Sequence, residues 1–446
     1  MRRAALHNLG CKVNSYETEA MAQLLEEAGY EIVDFEEKAD VYIINTCSVT
    51  NVADKKSRQM LHRAKKKNPE AVVVAAGCYV QAAGEQLKED TAVDLVIGNN
   101  KKAELVPLLE AYFSGKGSGE SVVDISAVHE YEPLHVSKIE DHTRAFIKVQ
   151  DGCNQFCSYC IIPYTRGRVR SRLPEDVEAE VYGLSAAGYK EIVLTGIHLS
   201  SYGVDFTEKK EDLLSLITRL HAIEGIERIR LGSLEPRIIT EEFVKAISRL
   251  PKLCPHFHLS LQSGCDSVLS RMNRHYTCEE YFSRCELLRN YFANPAITTD
   301  VIVGFPGETE AEFEETRKFL EKVNFYEMHV FKYSRRAGTR ADKMPDQVPE
   351  QVKTERSAVL LSLEREMSRR YRESFLGKET EILLEEPVKI GGTWYMLGHT
   401  KEYVKAALPI LDEESGRLSK NRLVSGILKN FLTDELICLA ENPKLG

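Results

Sequence analysis

Short apolar runs alternate with amphipathic stretches over the first 113 residues of the chain. Short apolar runs bounded by polar residues are typical of buried strands, and the amphipathic stretches are typical of helices that cover a sheet. One helix is predicted over residues 17–28, where Gly29 ends it. The predicted strands are residues 4–9, 41–46, 71–76 and 94–97. This order of elements predicts a doubly wound α/β domain over residues 1–115.

The same alternation of strand and helix patterns repeats six times between residues 144 and 334. Pro174 and Gly188 stand where the first of these helices should start and end. The predicted strands are residues 145–150, 191–196, 228–232, 256–262, 296–305 and 326–333. Because a closed TIM barrel has eight such units, six predict a partial, TIM-like barrel within residues 143–374. Its lateral opening would suit a bulky substrate.

Two further changes of pattern mark domain boundaries. The glycine- and serine-rich residues 114–120 begin a polar linker predicted over residues 116–142. After the central domain, residues 349–375 have the pattern of a long, charged amphipathic helix. Short strands predicted at 380–384, 403–407 and 437–440, with a turn at Gly391-Gly392, indicate a small β-barrel over residues 375–441.

Composition and charge narrow the class of protein. No run of about 18 apolar residues is present, which predicts a cytoplasmic protein without a membrane segment. The net charge of −9 excludes a generally basic nucleic-acid coat, so any contact with RNA must use local patches. Eleven cysteines, an odd number, argue against a disulfide framework and for reduced thiols that bind metal.

The first candidate for metal chemistry is a C-x3-C-x2-C run formed by Cys153, Cys157 and Cys160. A structural zinc site closes its tetrahedron with four protein ligands, whereas a four-iron cluster held by three cysteines keeps one iron open for a small molecule. The run therefore favours a cluster with an open iron. Two alternatives are a zinc knuckle with a distant fourth ligand and three structural thiols.

The second candidate is a set of three cysteines that are far apart in the sequence. Cys11, Cys47 and Cys78 lie just beyond the first three predicted strands. Because ligands of open parallel sheets gather at the carboxyl ends of the strands, these cysteines should converge on one edge and form a second metal site. Alternatively, each one is a small core residue.

The C-x3-C-x2-C run, with Tyr159 before its last cysteine, resembles the signature of the radical S-adenosylmethionine (SAM) enzymes. With both cysteine sets, the whole chain resembles the methylthiotransferases. That resemblance implies two 4Fe–4S clusters, an auxiliary one on Cys11, Cys47 and Cys78 and a radical one on the C-x3-C-x2-C run, and a C-terminal barrel called TRAM. The stretch from Gly10 to Glu17, Gly-Cys-Lys-Val-Asn-Ser-Tyr-Glu, looks like the branch that modifies N6-threonylcarbamoyladenosine beside the tRNA anticodon.

The resemblance also implies a reaction. One SAM supplies a methyl group to sulfur associated with the auxiliary cluster, and a second is cleaved to a 5′-deoxyadenosyl radical that activates C2 of the adenine. A cofactor must carry this step because an unactivated aromatic C–H offers no acid–base handle. The implied partners are the tRNA anticodon loop and a reductant such as flavodoxin or ferredoxin, with the enzyme a monomer. The rival hypotheses are isopentenyladenosine or a ribosomal-protein aspartate as substrate, and a non-catalytic, zinc-stabilised RNA-binding protein.

Candidate SAM contacts follow the predicted strand ends, and no catalytic residue is assigned beyond the cluster ligands. Thr195-Gly196 matches a family motif near the methionine amine but lacks the acidic third residue often found there. Two candidates have a plain structural alternative, since Glu235 could cap a turn and Asp300 could serve internal hydrogen bonds. The full set is Tyr159, Thr195, Gly196, Ser233, Glu235, Gln262 and Asp300.

Candidate RNA contacts are basic or aromatic residues in local patches. Residues 55–67 carry seven lysines or arginines and no acid, although such a run is often only a solvated face. Four arginines alternate just after the radical-cluster run, where a polyanion would enter. The predicted contacts are Arg166, Arg168, Arg170, Arg172, Arg335 and Arg336, with Trp394 and Lys405 in the terminal barrel.

Overall fold

The computed structural model describes residues 1–116, 120–137, 143–207, 211–433 and 438–445. Its N-terminal domain is a six-stranded parallel sheet in the order β2-β1-β3-β4-β5-β6. The strands are β1 Arg3–Asn8, β2 Glu31–Ile32, β3 Val41–Thr46, β4 Val72–Gly77, β5 Leu95–Ile97 and β6 Glu120–Ser121. The helices are α1 Lys12–Glu27, α2 Asn51–Lys67, α3 Cys78–Ala83, α4 Glu85–Lys88 and α5 Leu105–Phe113.

Helices cover both faces of this sheet, which confirms the predicted doubly wound domain. Tyr42 and Ile44 of β3 pack in one apolar core, while Val41 and Ile43 of the same strand pack in the other. Alternate residues of a strand point to opposite faces, so a continuous apolar strand is the expected pattern for a sheet buried on both sides.

The predicted linker is partly built into the fold. Its described part contributes β6 to the edge of the first sheet. Leu134 and Val136 are buried in the core of the central domain. Residues 117–119 and 138–142 of the predicted linker lie outside the described residues.

The central domain contains the six predicted parallel strands, arranged in two sheets, together with one short antiparallel strand. The first sheet has the order β10-β9-β7-β8 and the second the order β11-β12-β13. An isolated parallel bridge between Leu234 and Leu259 lies between them. The strands are β7 Arg144–Asp151, β8 Arg170–Ser171, β9 Glu191–Gly196, β10 Arg228–Leu231, β11 His256–His258, β12 Ala296–Val303 and β13 Glu327–Lys332.

Helices pack on the outside of these strands. Thr309 begins one of them with a capping box, in which its hydroxyl accepts the Glu312 backbone N–H and the Glu312 carboxylate accepts the Thr309 N–H. The helices are α6 Ile162–Thr165, α7 Pro174–Ala186, α8 Leu213–His221, α9 Glu241–Ile247, α10 Asp266–Arg271, α11 Cys278–Tyr291 and α12 Glu310–Val323. Apolar residues such as Ile297 and Val301 of β12 face these helices, so Asp300 between them faces the opposite side.

A long helix, α13 Glu350–Glu373, leads into the closed C-terminal barrel with strand order β14-β15-β16-β18-β17. Gly391 and Gly392 have positive φ and form the predicted turn between the first two strands. Arg228 donates to the carbonyl of His399 at 2.9 Å, which ties the barrel to the central domain. The elements are β14 Glu379–Ile390, β15 Thr393–Thr400, β16 Lys405–Pro409, α14 Glu413–Ser419, β17 Leu423–Phe431 and β18 Cys438–Leu445.

One predicted boundary shifts for a local reason, and another cannot be compared. Strand β11 ends at His258 rather than at residue 262, since Gln262 has φ of +75°, outside the strand region. The last predicted strand began at residue 437, which lies outside the described residues. Among the described residues, no helix combines the length and apolar character needed to cross a membrane.

Candidate functional site

Cys11, Cys47 and Cys78 meet at one edge of the N-terminal sheet, as the strand-end argument predicted. Cys47 and Cys78 directly follow β3 and β4, and Cys11 closely follows β1. These three strands are adjacent in the sheet. Gly10 lies so close to Cys47 that a Cβ at position 10 would stand 2.9 Å from the Cys47 Cβ. Gly10 also has φ of +109°, which a residue with a side chain rarely adopts. Glycine is therefore the residue that fits at position 10, next to these thiols. We call Cys11, Cys47 and Cys78 the auxiliary trio.

Cys153, Cys157 and Cys160 lie in a loop between β7 and α6, and we call them the radical trio. A Cβ on Gly152 would lie 1.8 Å from the carbonyl oxygen of Arg168, so only glycine fits where the loop begins. Asn273 donates to the carbonyls of Gln155 and Phe156, at 3.3 and 3.1 Å, and holds the middle of the loop. The start of the loop is thus packed closely against Arg168, and the Asn273 side chain holds its middle.

Arg274 is a neighbour of the radical trio that the sequence analysis missed. Its guanidinium lies 3.3 Å from the Cys157 Sγ and 3.1 Å from the Ser260 carbonyl. A cation beside a ligating sulfur stabilises the thiolate and tunes the metal that it binds. The only sequence signal was a basic residue in the segment between α10 and α11, and nothing there indicated its distant partner.

Both trios offer a donor set that fits iron–sulfur clusters better than zinc. Burial raises the pKa of Cys47 and Cys153 to about 11 and that of Cys160 to about 12, so these thiols would lose their protons only on binding a cation. Around one zinc ion, thiolate sulfurs with Zn–S bonds of about 2.3 Å stand about 3.8 Å apart. Among the described residues, neither trio brings three ligand atoms within 4.8 Å of one another. In this structure neither trio therefore has the spacing of three ligands on one zinc ion.

Two side chains connect the surroundings of the two trios. Asn99 donates to the carbonyl of Thr165, just beyond the radical trio, at 2.7 Å, and its amide nitrogen lies 3.6 Å from the Cys78 Sγ. Arg166 donates to the Asn14 carboxamide oxygen at 2.7 Å. The Cys11 Sγ lies 3.8 Å from that same oxygen. The surroundings of the two sets of thiols are therefore connected across the contact between the two domains.

Comparison with known proteins agrees with this division of the chain. Residues 3–98 match a family described as Uncharacterized protein family UPF0004, and residues 147–320 match the Radical SAM superfamily. A protein of Bacillus subtilis (strain 168), named threonylcarbamoyladenosine tRNA methylthiotransferase MtaB, is 43% identical over 426 residues. That match covers 95% of this chain and 94% of the relative.

The chain belongs to the methylthiotransferase family of radical SAM enzymes. Membership implies an iron–sulfur cluster and SAM as cofactors. A second methylthiotransferase, named tRNA-2-methylthio-N(6)-dimethylallyladenosine synthase of Thermoanaerobacter pseudethanolicus, is 39% identical and covers 85% of this chain and 81% of the relative. Among solved structures, the radical SAM methyltransferase TsrM of Kitasatospora setae shares the fold, with a TM-score of 0.57 and 17% identity over 76% of this chain and 77% of TsrM.

The residues of the methylthiotransferase that are predicted to contact SAM lie in different surroundings. Thr195 and Gly196 end β9, and Gly196 packs against Gln150, the last residue but one of β7. The Tyr159 ring packs edge-on to Phe305 at 6.3 Å between ring centroids. Ser233 is exposed beyond the end of β10. These positions lie on the same side of the strands as the radical trio, and their contact with SAM stays a prediction.

Two predicted SAM contacts already have protein partners. The Glu235 carboxylate accepts the backbone N–H of Arg237 and pairs with its guanidinium at 2.7 Å, which is the turn-capping role considered above. The Asp300 Oδ2 lies 3.3 Å from the His258 Nε2. Gln262 instead supplies its backbone, since its N–H donates to the Asp300 carbonyl. Asp300 is therefore part of a histidine cluster inside the central domain.

Four arginines predicted to contact RNA are buried and paired within the protein, so in this structure they do not present their charge freely to solvent. Arg166 pairs with Glu17 at 2.8 Å, and Arg172 pairs with Glu180 at 2.7 Å. Arg170 donates to the Arg168 carbonyl. Each of these three is at most 2% exposed. Arg336 joins the two domains through Asn51, Asp54 and Ser48.

The other four candidates are partly or fully open to solvent. Arg168 is exposed, and its guanidinium lies 4.6 Å from the centre of the Phe156 ring. Arg335 is exposed and pairs with Asp342 at 2.6 Å. Trp394 and Lys405 are half-buried on the terminal barrel. For these residues, contact with RNA stays a prediction.

Glu17 of α1 is the centre of a buried charge network between the domains. It pairs with Lys148 at 2.7 Å, with Lys102 at 3.1 Å and with Arg166 at 2.8 Å. Asp151 completes the network at 3.1 Å from Arg166. Because uncompensated charges are strongly destabilising in a protein interior, the network aligns the two domains only when all members are present.

The stability of the enzyme should fall in acid because of Glu17. Burial alone would raise the Glu17 pKa, but the charges of Arg166, Lys102 and Lys148 outweigh it and hold that pKa well below its ordinary value. The unfolded chain then binds a proton at a higher pH than the folded one. The stabilisation is complete above about pH 5 and is lost as the pH falls. We expect Glu17→Gln to flatten the acid side of a curve of urea midpoint against pH, measured by circular dichroism.

Glu26→Gln is the matched control, since Glu26 is an exposed glutamate on the same helix. It should follow the wild-type curve. Equal acid slopes for the wild type and Glu17→Gln would contradict the role of Glu17.

Proposed function

We propose that the protein replaces the C2 hydrogen of N6-threonylcarbamoyladenosine, next to the anticodon of tRNA, with a methylthio group. The reaction would use two molecules of SAM and two 4Fe–4S clusters. The observation that carries the proposal is the pair of trios, each with three thiols, whose surroundings are joined through Asn99 and Arg166. Each trio would leave one iron open. One opening suits SAM cleavage and the other suits the presentation of sulfur.

The relatives support methylthiolation of tRNA more strongly than they support one substrate. MtaB proteins of Bacillus subtilis and Aquifex aeolicus are 43% and 42% identical to this chain, and the dimethylallyladenosine synthase of Thermoanaerobacter pseudethanolicus is 39% identical. These identities are too close to separate the two nucleosides. The choice between them must come from the site.

The interior of the central domain favours the threonylcarbamoyl group. His258, Asp300 and His329 line it from three adjacent strands, and Lys12 approaches from the N-terminal domain. The threonylcarbamoyl group carries a carboxylate and a hydroxyl that such residues can bind. A dimethylallyl group is apolar and would remove water from these side chains without replacing its hydrogen bonds, which is unfavourable. The polarity of the site therefore supports threonylcarbamoyladenosine.

The protein's own residues would position and protect the reaction. When bound, the radical-trio cluster would supply the electron that cleaves SAM. Arg274 would hold the Cys157 sulfur in position through its 3.3 Å contact, and Asn273 would hold the cluster loop in place. Asn99 and Arg166 would set the distance between the domains, because each contacts the surroundings of both trios. A fixed gap allows the target base to meet both cofactors in one orientation.

A cleft between the N-terminal and central domains suits the RNA. Its volume is about 340 Å³, and its lining includes Arg58, Tyr79 and Tyr164. Arginine and tyrosine bind a nucleotide through its phosphate and by stacking on its base. Arg168 and Arg335 would contact the RNA backbone nearby, and Trp394 and Lys405 would do so from the terminal barrel. A flavodoxin or ferredoxin as reductant and a monomeric enzyme complete the proposal.

Mass spectrometry of tRNA nucleosides tests the substrate. A deletion strain should lack 2-methylthio-N6-threonylcarbamoyladenosine and accumulate N6-threonylcarbamoyladenosine, and the wild-type gene should restore the product. A Cys47→Ala gene is the control, since it alters one thiol of the auxiliary trio and should not restore it. Loss of methylthiolated dimethylallyladenosine, or of a modified ribosomal-protein aspartate, with the threonylcarbamoyl product unchanged, would show that the substrate is wrong.

A further inference from the structure

Three polar side chains form a cluster in the central domain that includes no member of either cysteine trio. His258, Asp300 and His329 come from β11, β12 and β13, and their ligand-type atoms all lie within 4.8 Å of one another. The His258 Nε2 is 3.3 Å from the Asp300 Oδ2, and the two imidazoles stack with centroids 5.9 Å apart. The His258 Nδ1 lies 2.9 Å from the Thr298 hydroxyl, which fixes the ring. The cluster is therefore ordered and presents donors and an acceptor together.

Lys12 lies at the junction that this cluster faces. It directly follows Cys11 of the auxiliary trio and is the first residue of α1, the helix that packs against β7 and β9. Its ammonium group interacts electrostatically with Asp300 and with Glu191, Arg144 and Arg230 at the inner surface of the central domain. Solvent reaches the side chain even though protein surrounds it. Lys12 is therefore a solvent-accessible cation whose charge acts on this inner surface, and we call the space between them the chamber.

Lys12 also differs from the other lysines at this junction. Lys102 and Lys148 are buried and pair with Glu17 at 3.1 and 2.7 Å. Lys12 forms no hydrogen bond or ion pair with any residue in the part of the chain that the structure describes. A cation held in a chamber without a partner is ready to bind an anion of a ligand.

We propose that Lys12 and the cluster of His258, Asp300 and His329 form the subsite for the N6 substituent of the target adenine. This inference rests on the proposed function. Lys12 binds the carboxylate of the threonylcarbamoyl group, while Asp300 accepts a hydrogen bond from its hydroxyl or its N–H. The two imidazoles supply the remaining hydrogen bonds. Lys12 is thus the residue that distinguishes a carboxylate-bearing adenosine from an unmodified or a dimethylallyl one.

Two imidazoles and one carboxylate could also hold a divalent metal ion, but the surroundings oppose it. Lys12 acts on Asp300, and its positive charge disfavours binding of a second cation there. An anionic ligand is favoured by the same charge. The charge around this cluster therefore favours binding of the substrate carboxylate over binding of a cation.

RNA binding by the reconstituted enzyme tests this subsite without any turnover. Two anticodon stem-loop RNAs are compared that differ only at the target base, one with N6-threonylcarbamoyladenosine and one with adenosine. We expect Lys12→Met to reduce the affinity for the first RNA about tenfold or more, because a charge-assisted hydrogen bond is lost in a partly enclosed site. Lys12→Arg should recover part of this loss, since it keeps the charge with a different shape.

Lys38→Met is the matched control, because Lys38 is an exposed lysine of the same domain in the loop between β2 and β3. It should change neither affinity. Iron content is measured for every variant, so that loss of the cluster beside Lys12 is not mistaken for loss of the subsite. Fluorescence anisotropy at one fixed salt concentration gives the dissociation constants, since RNA affinity depends on salt.

The outcomes separate the subsite from the function. If the wild type prefers the threonylcarbamoyl RNA and Lys12→Met keeps the full preference, the subsite is wrong while the function stands. If the wild type shows no preference and the nucleoside assay finds a different product, the proposed function fails and the subsite fails with it. One zinc ion per chain that disappears in His329→Ala, with RNA preference unchanged, would identify a metal site and overturn the subsite.

Discussion

The Cys157→Ala variant should produce no 5′-deoxyadenosine from SAM while keeping about half of the wild-type iron. Two clusters of four irons correspond to about eight irons per chain, and loss of the radical cluster leaves about four. The auxiliary trio should keep its cluster, because its three thiols lie on strands of the other domain. Iron analysis after anaerobic reconstitution and chromatography of the nucleoside product measure both effects.

Cys285→Ala provides the control for removing a cysteine. Cys285 is a buried residue of α11 outside both trios, so its substitution should leave the iron content and SAM cleavage unchanged. The reciprocal variant, Cys47→Ala, should still cleave SAM but should transfer no methylthio group. The assignment of the radical trio fails if Cys157→Ala still cleaves SAM. Colourless wild-type protein with stoichiometric zinc would instead support the zinc-stabilised RNA-binding protein.

Arg166→Met should lower the free energy of unfolding by about 3–5 kcal/mol, the range for breaking a buried ion pair on one side. The substitution leaves Glu17 and Asp151 buried together without the guanidinium that lies between them, at 2.8 and 3.1 Å. It also removes the hydrogen bond to Asn14 beside the auxiliary trio. The loss of stability is measured by urea denaturation, with unfolding monitored by far-UV circular dichroism.

Arg168→Met is the matched control, two residues away on the same segment. Arg168 is exposed, and its guanidinium lies over the ring of Phe156. Removing this side chain should lower the free energy of unfolding by less than about 1 kcal/mol. It should weaken RNA binding instead, and the salt dependence of binding should become less steep. Equal losses of stability in Arg166→Met and Arg168→Met would contradict the assignment of Arg166 as a structural arginine and Arg168 as a surface arginine.

The arginine series shows why a local pattern was insufficient at this point. Four arginines at alternate positions read as one basic strip, but three of them are buried against carboxylates of the protein. Arg166 meets Glu17 from a different domain, 149 residues earlier in the chain. Arg172 meets Glu180 on the following helix. A periodic pattern indicates which residues share a face, but it does not indicate whether protein or solvent covers that face.

The auxiliary trio shows the opposite case. Cys11, Cys47 and Cys78 are distant in the sequence, yet their convergence followed from strand order, because adjacent parallel strands end at one edge. The short spacing of the radical trio needed no tertiary information at all. Chain connectivity alone brings its three thiols together within one loop.

Sequence alone determined the three domains' classes, the two sets of thiols and the family, because these depend on local periodicity, on strand ends and on short spacings. Tertiary structure decided which distant residues meet: the pairing of Arg166 with Glu17, the placement of Arg274 beside Cys157, and the action of the Lys12 charge on Asp300. Those contacts join residues from separate elements and domains. Their partners depend on which surfaces pack together, and hydrophobic packing, which is not directional, is what selects those surfaces.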